Sequence, residues 1–358
     1  MKRNSGVSNR RAAKMKPGEK IMRRIRTITT VLFMAALIAT FTSTDAKACA
    51  SCGCTVSTDW QSLEYSYQPG VKLDLRYDYM NQHRLRSGSG TISPVAASQR
   101  VTSSGNQEVE QFTNTQTITL GLDYSSNPDW GINLQAPYLI RNHGTLGTAS
   151  NGIIPLDSGG QYESHTASLG DMKIIGRYQG FSSKHNLGIL LGFKLPTGSY
   201  TDTGSSTDPA APGPVTIDRG LQPGTGTSDL ILGAYYNDAI TPDLAYFTQA
   251  QYQSSLNSSD HYRPGNSLNV NLGLRYVGLD IVIPQVQLNV RNIMRDTGAN
   301  ADNGSTGGTL LYLTPGMVAA VSDRITLYAF VQIPIYQYVN GVQLTPYWIP
   351  SAGVRYAF

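Results

Sequence analysis

Val71-Lys72-Leu73-Asp74-Leu75-Arg76-Tyr77-Asp78-Tyr79 decides the fold. Every odd position is apolar and every even position is charged. Side chains alternate between the two faces of a strand, so this segment has one face of large apolar groups and one of charges only. A soluble sheet rarely divides its faces so completely. A strand with lipid on one side and water on the other requires that division. The same alternation closes the chain in Val354-Arg355-Tyr356-Ala357-Phe358, which stops on an aromatic residue. The expected fold class is all-β: a membrane-spanning antiparallel β-barrel with a C-terminal aromatic.

Working outward, about twelve segments repeat the pattern, each near the ten residues that a tilted membrane strand needs. They fall at 70–80, 115–125, 130–141, 168–179, 186–196, 228–237, 244–254, 266–277, 282–292, 309–321, 324–336 and 346–358. An even number allows antiparallel closure with both termini on one side. The connections alternate as well. The links 81–114, 142–167, 197–227, 255–265, 293–308 and 337–345 are long and rich in Gly, Ser, Thr, Asn and Asp, whereas Ser126-Asn127-Pro128-Asp129 and Ser322-Asp323 are short. Long outer loops and short periplasmic turns are the asymmetry of outer-membrane barrels. A soluble β-sandwich would have shorter strands and lack this asymmetry. Four prolines (Pro137, Pro196, Pro284 and Pro334) lie in upward strands, where each removes a ladder donor and is expected to mark a bulge or an end of pairing.

Composition fits this reading. Gly numbers 36 and Tyr outnumbers Phe 21 to 8, as turns and interfacial aromatic girdles require. The net charge of +4 misleads, because residues 1–48 hold eleven Lys and Arg against Glu19 and Asp45. The rest of the chain has seventeen basic and twenty-two acidic residues, so nothing in it argues for a nucleic-acid partner. Arg23, Arg24 and Arg26, the apolar run from Ile28 to Phe41, and Ala46-Lys47-Ala48 read as a secretory signal cleaved after Ala48. Met22 is an alternative start, and a weak lipobox ending at Cys49 is the rival processing signal. The expected organisation is a signal segment at 1–48, a periplasmic N-terminal segment at 49–69 and the barrel at 70–358. The expected location is the outer membrane of a Gram-negative bacterium. The partners would be its lipid, a small-molecule solute and, through the C-terminal strand, the barrel-assembly machinery.

Alternation assigns thirteen charged side chains to the water-facing wall. They are Lys72, Asp74, Arg76, Asp78, Asp123, Asp171, Lys173, Arg177, Lys194, Asp229, Arg275, Arg291 and Arg355. Eight are basic and five acidic. Two arrangements suit such a set: an open pore whose charges favour anions, or a closed lumen whose groups satisfy one another.

The only cysteines, in Cys49-Ala50-Ser51-Cys52-Gly53-Cys54, form a second signal. Three thiolates at this spacing could hold Cu(I), or Zn with one further ligand, and so serve a periplasmic metal or redox partner. A Cys52–Cys54 or Cys49–Cys52 disulfide, or lipid attachment, is the plainer use. No catalytic residues are expected. The five histidines (His83, His143, His165, His185 and His261) are assigned to loops or turns, away from any wall-mounted nucleophile.

Several segments resemble the outer-membrane barrel family named for the MetA pathway of phenol degradation. They are Leu169-Gly170-Asp171-Met172, Gly176-Arg177-Tyr178, Gly192-Phe193-Lys194-Leu195-Pro196-Thr197-Gly198, Leu221-Gln222-Pro223-Gly224-Thr225-Gly226, Tyr312-Leu313-Thr314-Pro315-Gly316 and Gln332-Ile333-Pro334-Ile335-Tyr336. The resemblance covers roughly 165–358 well and the first three strands loosely. It implies a channel or transporter for small solutes, aromatic or hydrophobic compounds among them. The cysteine head stands outside the barrel pattern and sustains the alternative of a metal- or redox-partner-binding barrel.

Overall fold

A computed structural model describes residues 69–99, 101–102, 105–106, 109–145, 162–207 and 212–358. Twelve antiparallel strands close into a barrel. They are β1 (Gly70–Gly88), β2 (Glu110–Ser125), β3 (Trp130–Thr145), β4 in two pieces (Tyr162–Leu169 and Lys173–Tyr178), β5 (Leu187–Lys194), β6 (Asp229–Thr241), β7 (Leu244–Ser255), β8 (Ser267–Tyr276), β9 (Val282–Ile293), β10 (Gly308–Ala320), β11 (Ile325–Pro346) and β12 (Ile349–Ala357). Each pairs with its sequence neighbours. The ring closes where β12 pairs with β1, from Asp78↔Ser351 to Lys72↔Ala357. Among the described residues, no helix is long and apolar enough to cross a membrane.

The barrel is inside out relative to a soluble protein. On β1, Asp74, Arg76 and Asp78 are buried while Leu73, Leu75 and Tyr77 are exposed. Leu120 and Leu191 are likewise 48% and 55% exposed. A continuous apolar exterior is stable only against hydrocarbon. Aromatic side chains such as Tyr77, Tyr124, Trp130 and Tyr276 are spread over this outer face. Their amphipathic rings suit the interface, where one end meets lipid and the other water.

Several strands outrun their expected lengths. β1 has 19 residues and β2 and β3 have 16 each, against the nine to eleven or so that span hydrocarbon. Their outer ends therefore stand above the membrane. The expected loop at 337–345 is ladder instead: Val339 pairs with Gly308 of β10, and residues 342–346 turn back to pair with β1. Gly341, at φ 56°, makes that reversal without a Cβ penalty. Most of the prolines act as expected. A register shift lies next to Pro334, β5 ends just before Pro196, and β4 is interrupted opposite Pro137. Pro284 sits in unbroken pairing with Met317.

Above β1 and β2, the outer link forms a small core of its own. A one-turn helix, α1 (Pro94–Ser98), is capped by the Ser93 hydroxyl, which accepts a hydrogen bond from the Ala96 N–H at 3.2 Å. Ala97 and Val109 pack there with Leu85, Val342 and Leu344.

Candidate functional site: a roofed cavity in the barrel lumen

Inside the barrel, aromatic side chains lie over glycines of the adjacent strand. Tyr235 covers Gly188, Phe247 covers Gly273, Phe330 covers Gly316 and Tyr328 covers Gly353, and each is a directly opposed pair. A Cβ on any of these glycines would come within 2.1 to 2.3 Å of the opposed aromatic side chain. The rings therefore lean along the wall, and the glycine signal is what allows it. Two are pinned further: the Tyr328 hydroxyl donates to Asp74 at 2.8 Å, and that of Tyr235 donates to Gln179.

Toward the outer end the wall is irregular. β4 breaks at Gly170-Asp171-Met172, and β5 continues past Lys194 as non-ladder chain beside the break. There Thr197 Oγ1 donates to the Gly170 carbonyl and accepts from the Met172 N–H, both at 2.9 Å. The long link after β5 folds inward, and its Gly224 meets Gly198 backbone to backbone. A Cβ on Gly224 would lie 2.3 Å from the Gly198 carbonyl oxygen, and one on Gly198 would lie 2.9 Å from Gly170 Cα. Three sequence-distant motifs, Leu-Gly-Asp-Met, Leu-Pro-Thr-Gly and Gln-Pro-Gly-Thr-Gly, thus meet at a knot that only glycine backbones can form.

Charges hold the knot. Lys194 Nζ sits 2.9 Å from Asp171 and 3.3 Å from Asp229, and also donates to Thr225 and, at 3.4 Å, to Thr227. Asp171 in turn accepts from the Thr225 N–H at 3.0 Å, its hydroxyl at 2.8 Å and the Gly198 N–H at 3.1 Å. From β3, Arg141 donates to the Leu221 carbonyl at 2.6 Å. Arg219 reaches the carbonyls of Tyr200, Thr225 and Ser259 at 3.1, 2.8 and 3.2 Å.

Beneath this roof lies a cavity of about 200 Å³. Its lining combines apolar groups such as Met80, Pro137, Leu139 and Ile293 with charged ones. Seven of the thirteen sequence-assigned charges line it: Arg76, Asp78, Asp171, Lys173, Lys194, Asp229 and Arg291. The other six, Lys72, Asp74, Asp123, Arg177, Arg275 and Arg355, lie apart from it. Most are engaged near the end of the barrel that carries the short turns. Arg177 pairs with Asp123 at 2.5 Å, Arg355 with Asp74 at 3.4 Å, and Arg275 stacks over the Phe247 ring at 4.8 Å. Within the cavity, Arg76 pairs with Asp78 at 2.8 Å. All thirteen are buried or half-buried.

Arg141, Arg219, Gln222, Tyr262 and Asp296 were not marked by alternation, because the last four come from loops whose inward fold has no period-two signature. Arg141 closes the expected strand 130–141 on the same odd-numbered face as Gln135 and Leu139, so alternation was the signal that could have found it. Asp296, between β9 and β10, accepts from the Tyr262 hydroxyl at 2.9 Å and the Gly265 N–H at 2.8 Å. Burial raises its carboxyl above the ordinary carboxylate range despite those two donors, which act to lower it.

The histidine assignment needs correction. His83, His143 and His165 lie in the extended outer parts of β1, β3 and β4. His143 Nδ1 lies 2.8 Å from the Thr113 hydroxyl, and His165 Nδ1 lies 2.6 Å from the Asn142 amide oxygen. Cys49, Cys52 and Cys54, and with them the metal expectation, lie outside the described residues.

Solved structures similar to this chain share its fold. An outer-membrane channel from Pseudomonas putida F1 superposes with a TM-score of 0.56 at 11% identity, covering 82% of this chain and 98% of that one. The translocator domain of the autotransporter NalP from Neisseria meningitidis gives 0.46 at 12% identity, over 84% and 92%. The toluene transporter TodX from P. putida gives 0.45 at 8% identity, over 81% and 90%. The last two superpose too loosely to support more. No family model and no curated protein matches the chain. The first likeness establishes the fold as that of an outer-membrane β-barrel.

Proposed function

We propose that this protein is an outer-membrane channel for small solutes, of the aromatic or hydrophobic kind that the MetA-pathway resemblance implies. The observation that carries this reading is the lumen cavity: water-facing, lined by both apolar and charged groups, and roofed by a segment of the chain's own outer link. A cavity of about 200 Å³ exceeds the roughly 150 Å³ that accommodates benzene in an engineered core. It therefore suits a single substituted ring or a molecule of similar size. The inward-folded segment forms the constriction, and the glycine-seated aromatics keep the periplasmic half of the lumen from being crossed by rings. The P. putida F1 likeness agrees at the level of fold.

The test is single-channel recording of the refolded mature barrel in a planar bilayer under a salt gradient. Discrete steps with a reversal potential are expected, and a correctly folded but silent barrel would overturn the reading. Neutralising Arg76 or Arg177 should shift selectivity toward cations, because Asp78 or Asp123 is left without its partner. A second reading, in which the Cys49, Cys52 and Cys54 head binds Cu or Zn for a periplasmic partner, rests on the three-thiol spacing. Metal content of the mature protein, with and without those cysteines, tests it.

A further inference from the structure

We propose that the cavity takes a small organic monoanion, a carboxylate on an apolar body, whose charge is met by Arg219. This inference rests on the channel reading and adds the substrate class. Arg219 lies in the inward-folded segment, lines the cavity and is only 7% exposed. Three main-chain carbonyls hold its guanidinium, two from its own link and one, of Ser259, from the link between β7 and β8. The rings of Tyr200 and Tyr262 flank it at 4.4 and 5.1 Å. Its Nε has no hydrogen-bond partner among the described residues. Carbonyls and rings orient a cation but do not cancel its charge, and a buried charge without a counter-ion is costly.

Every carboxylate that lines the cavity is committed elsewhere. Asp78 pairs with Arg76, Asp171 and Asp229 share Lys194, and Asp296 accepts from Tyr262 and Gly265. Burial of Asp296 also favours its neutral form, which weakens it as a counter-charge. In all, six cationic side chains line the cavity against four acidic ones. The excess positive charge recruits an anion. The apolar surface of Met80, Pro137, Leu139 and Ile293 recruits a body that chloride or phosphate lacks. A ring bearing one carboxylate satisfies both demands at the available size.

The experiment compares benzoate with benzamide, a neutral molecule of the same shape, on the full mature barrel. In bilayers the parent should pass chloride in preference to potassium, and benzoate should interrupt the current at concentrations where benzamide does not. Arg219→Gln should weaken both effects about fivefold or more, the scale of a single charge at contact distance even in a high-dielectric setting. Arg219→Lys should restore them, because it keeps the charge while losing the planar fork. Equilibrium binding of benzoate to the detergent-solubilised barrel gives a readout that needs no conduction.

A silent barrel that still binds benzoate through Arg219 would refute the channel reading and leave this inference standing. A conducting barrel that treats benzoate and benzamide alike would refute this inference alone. Equal loss of benzoate binding in the Gln and Lys variants would also overturn it, because Arg219 would then act only as a clamp on the roof.

Discussion

Replacing Lys194 with Met tests whether the roof over the cavity is electrostatically latched. Lys194 lies within ion-pair distance of both Asp171 and Asp229, and those two side chains are only 8% and 5% exposed. Removing one member of a buried ionic group strands the others, which typically costs about 3–5 kcal/mol. The loss should be local as well as global. Asp171 ties the roof to the wall through the Thr225 amide and hydroxyl, and a carboxylate without its ammonium repels Asp229 across the same small space. The Lys194→Met barrel should therefore unfold at lower urea in lipid vesicles, with its free energy reduced by about 3–5 kcal/mol. It should also show larger or noisier conductance as the roof loosens. Adding Asp171→Asn and Asp229→Asn should recover most of the loss, because an uncharged set can keep hydrogen bonds to Thr225, Thr227 and Gly198. If Lys194→Met unfolds within about 0.5 kcal/mol of the parent, the range of ordinary surface changes, the latch does not exist.

Three further outcomes are expected. Leu120→Arg, at a position 48% exposed on the outer face, should cost about 2–4 kcal/mol near the bilayer midplane, read as a lowered urea midpoint in vesicles. An unchanged midpoint would contradict the assignment of that face to lipid. Gly224→Ala places a Cβ 2.3 Å from the Gly198 carbonyl oxygen and should cost about 1–3 kcal/mol through overpacking, with increased conductance as the roof is displaced. Asp296 should make the outer loops less stable as pH rises. Its folded-state carboxyl lies above the ordinary range, so the unfolded chain releases its proton first. Stability should fall between those two values and level off above the higher one. Asp296→Asn should flatten that part of the urea-midpoint profile, and an identical slope in parent and variant would assign the pH dependence to other groups.

The membrane-spanning part of the fold was legible because lipid and water impose opposite demands on alternate residues. Leu73, Leu75 and Tyr77 could face only lipid, and Asp74, Arg76 and Asp78 could face only the lumen. That constraint set the strands and their even number. It weakens once a strand rises above the bilayer, which is why β1 runs on to Gly88 and residues 342–346 pair where a loop was expected. Both faces meet protein or water there, so alternation no longer separates them.

The sequence by itself determined the barrel, its lipid face and most of the charges that point inward, because the solvent around a strand acts residue by residue. Only the tertiary structure decided what closes the lumen. The knot of Gly170, Gly198 and Gly224, the Lys194 latch and the Arg219 clamp join residues that are far apart in the chain. Their geometry follows from backbone approach and charge pairing across the barrel, which no local period records.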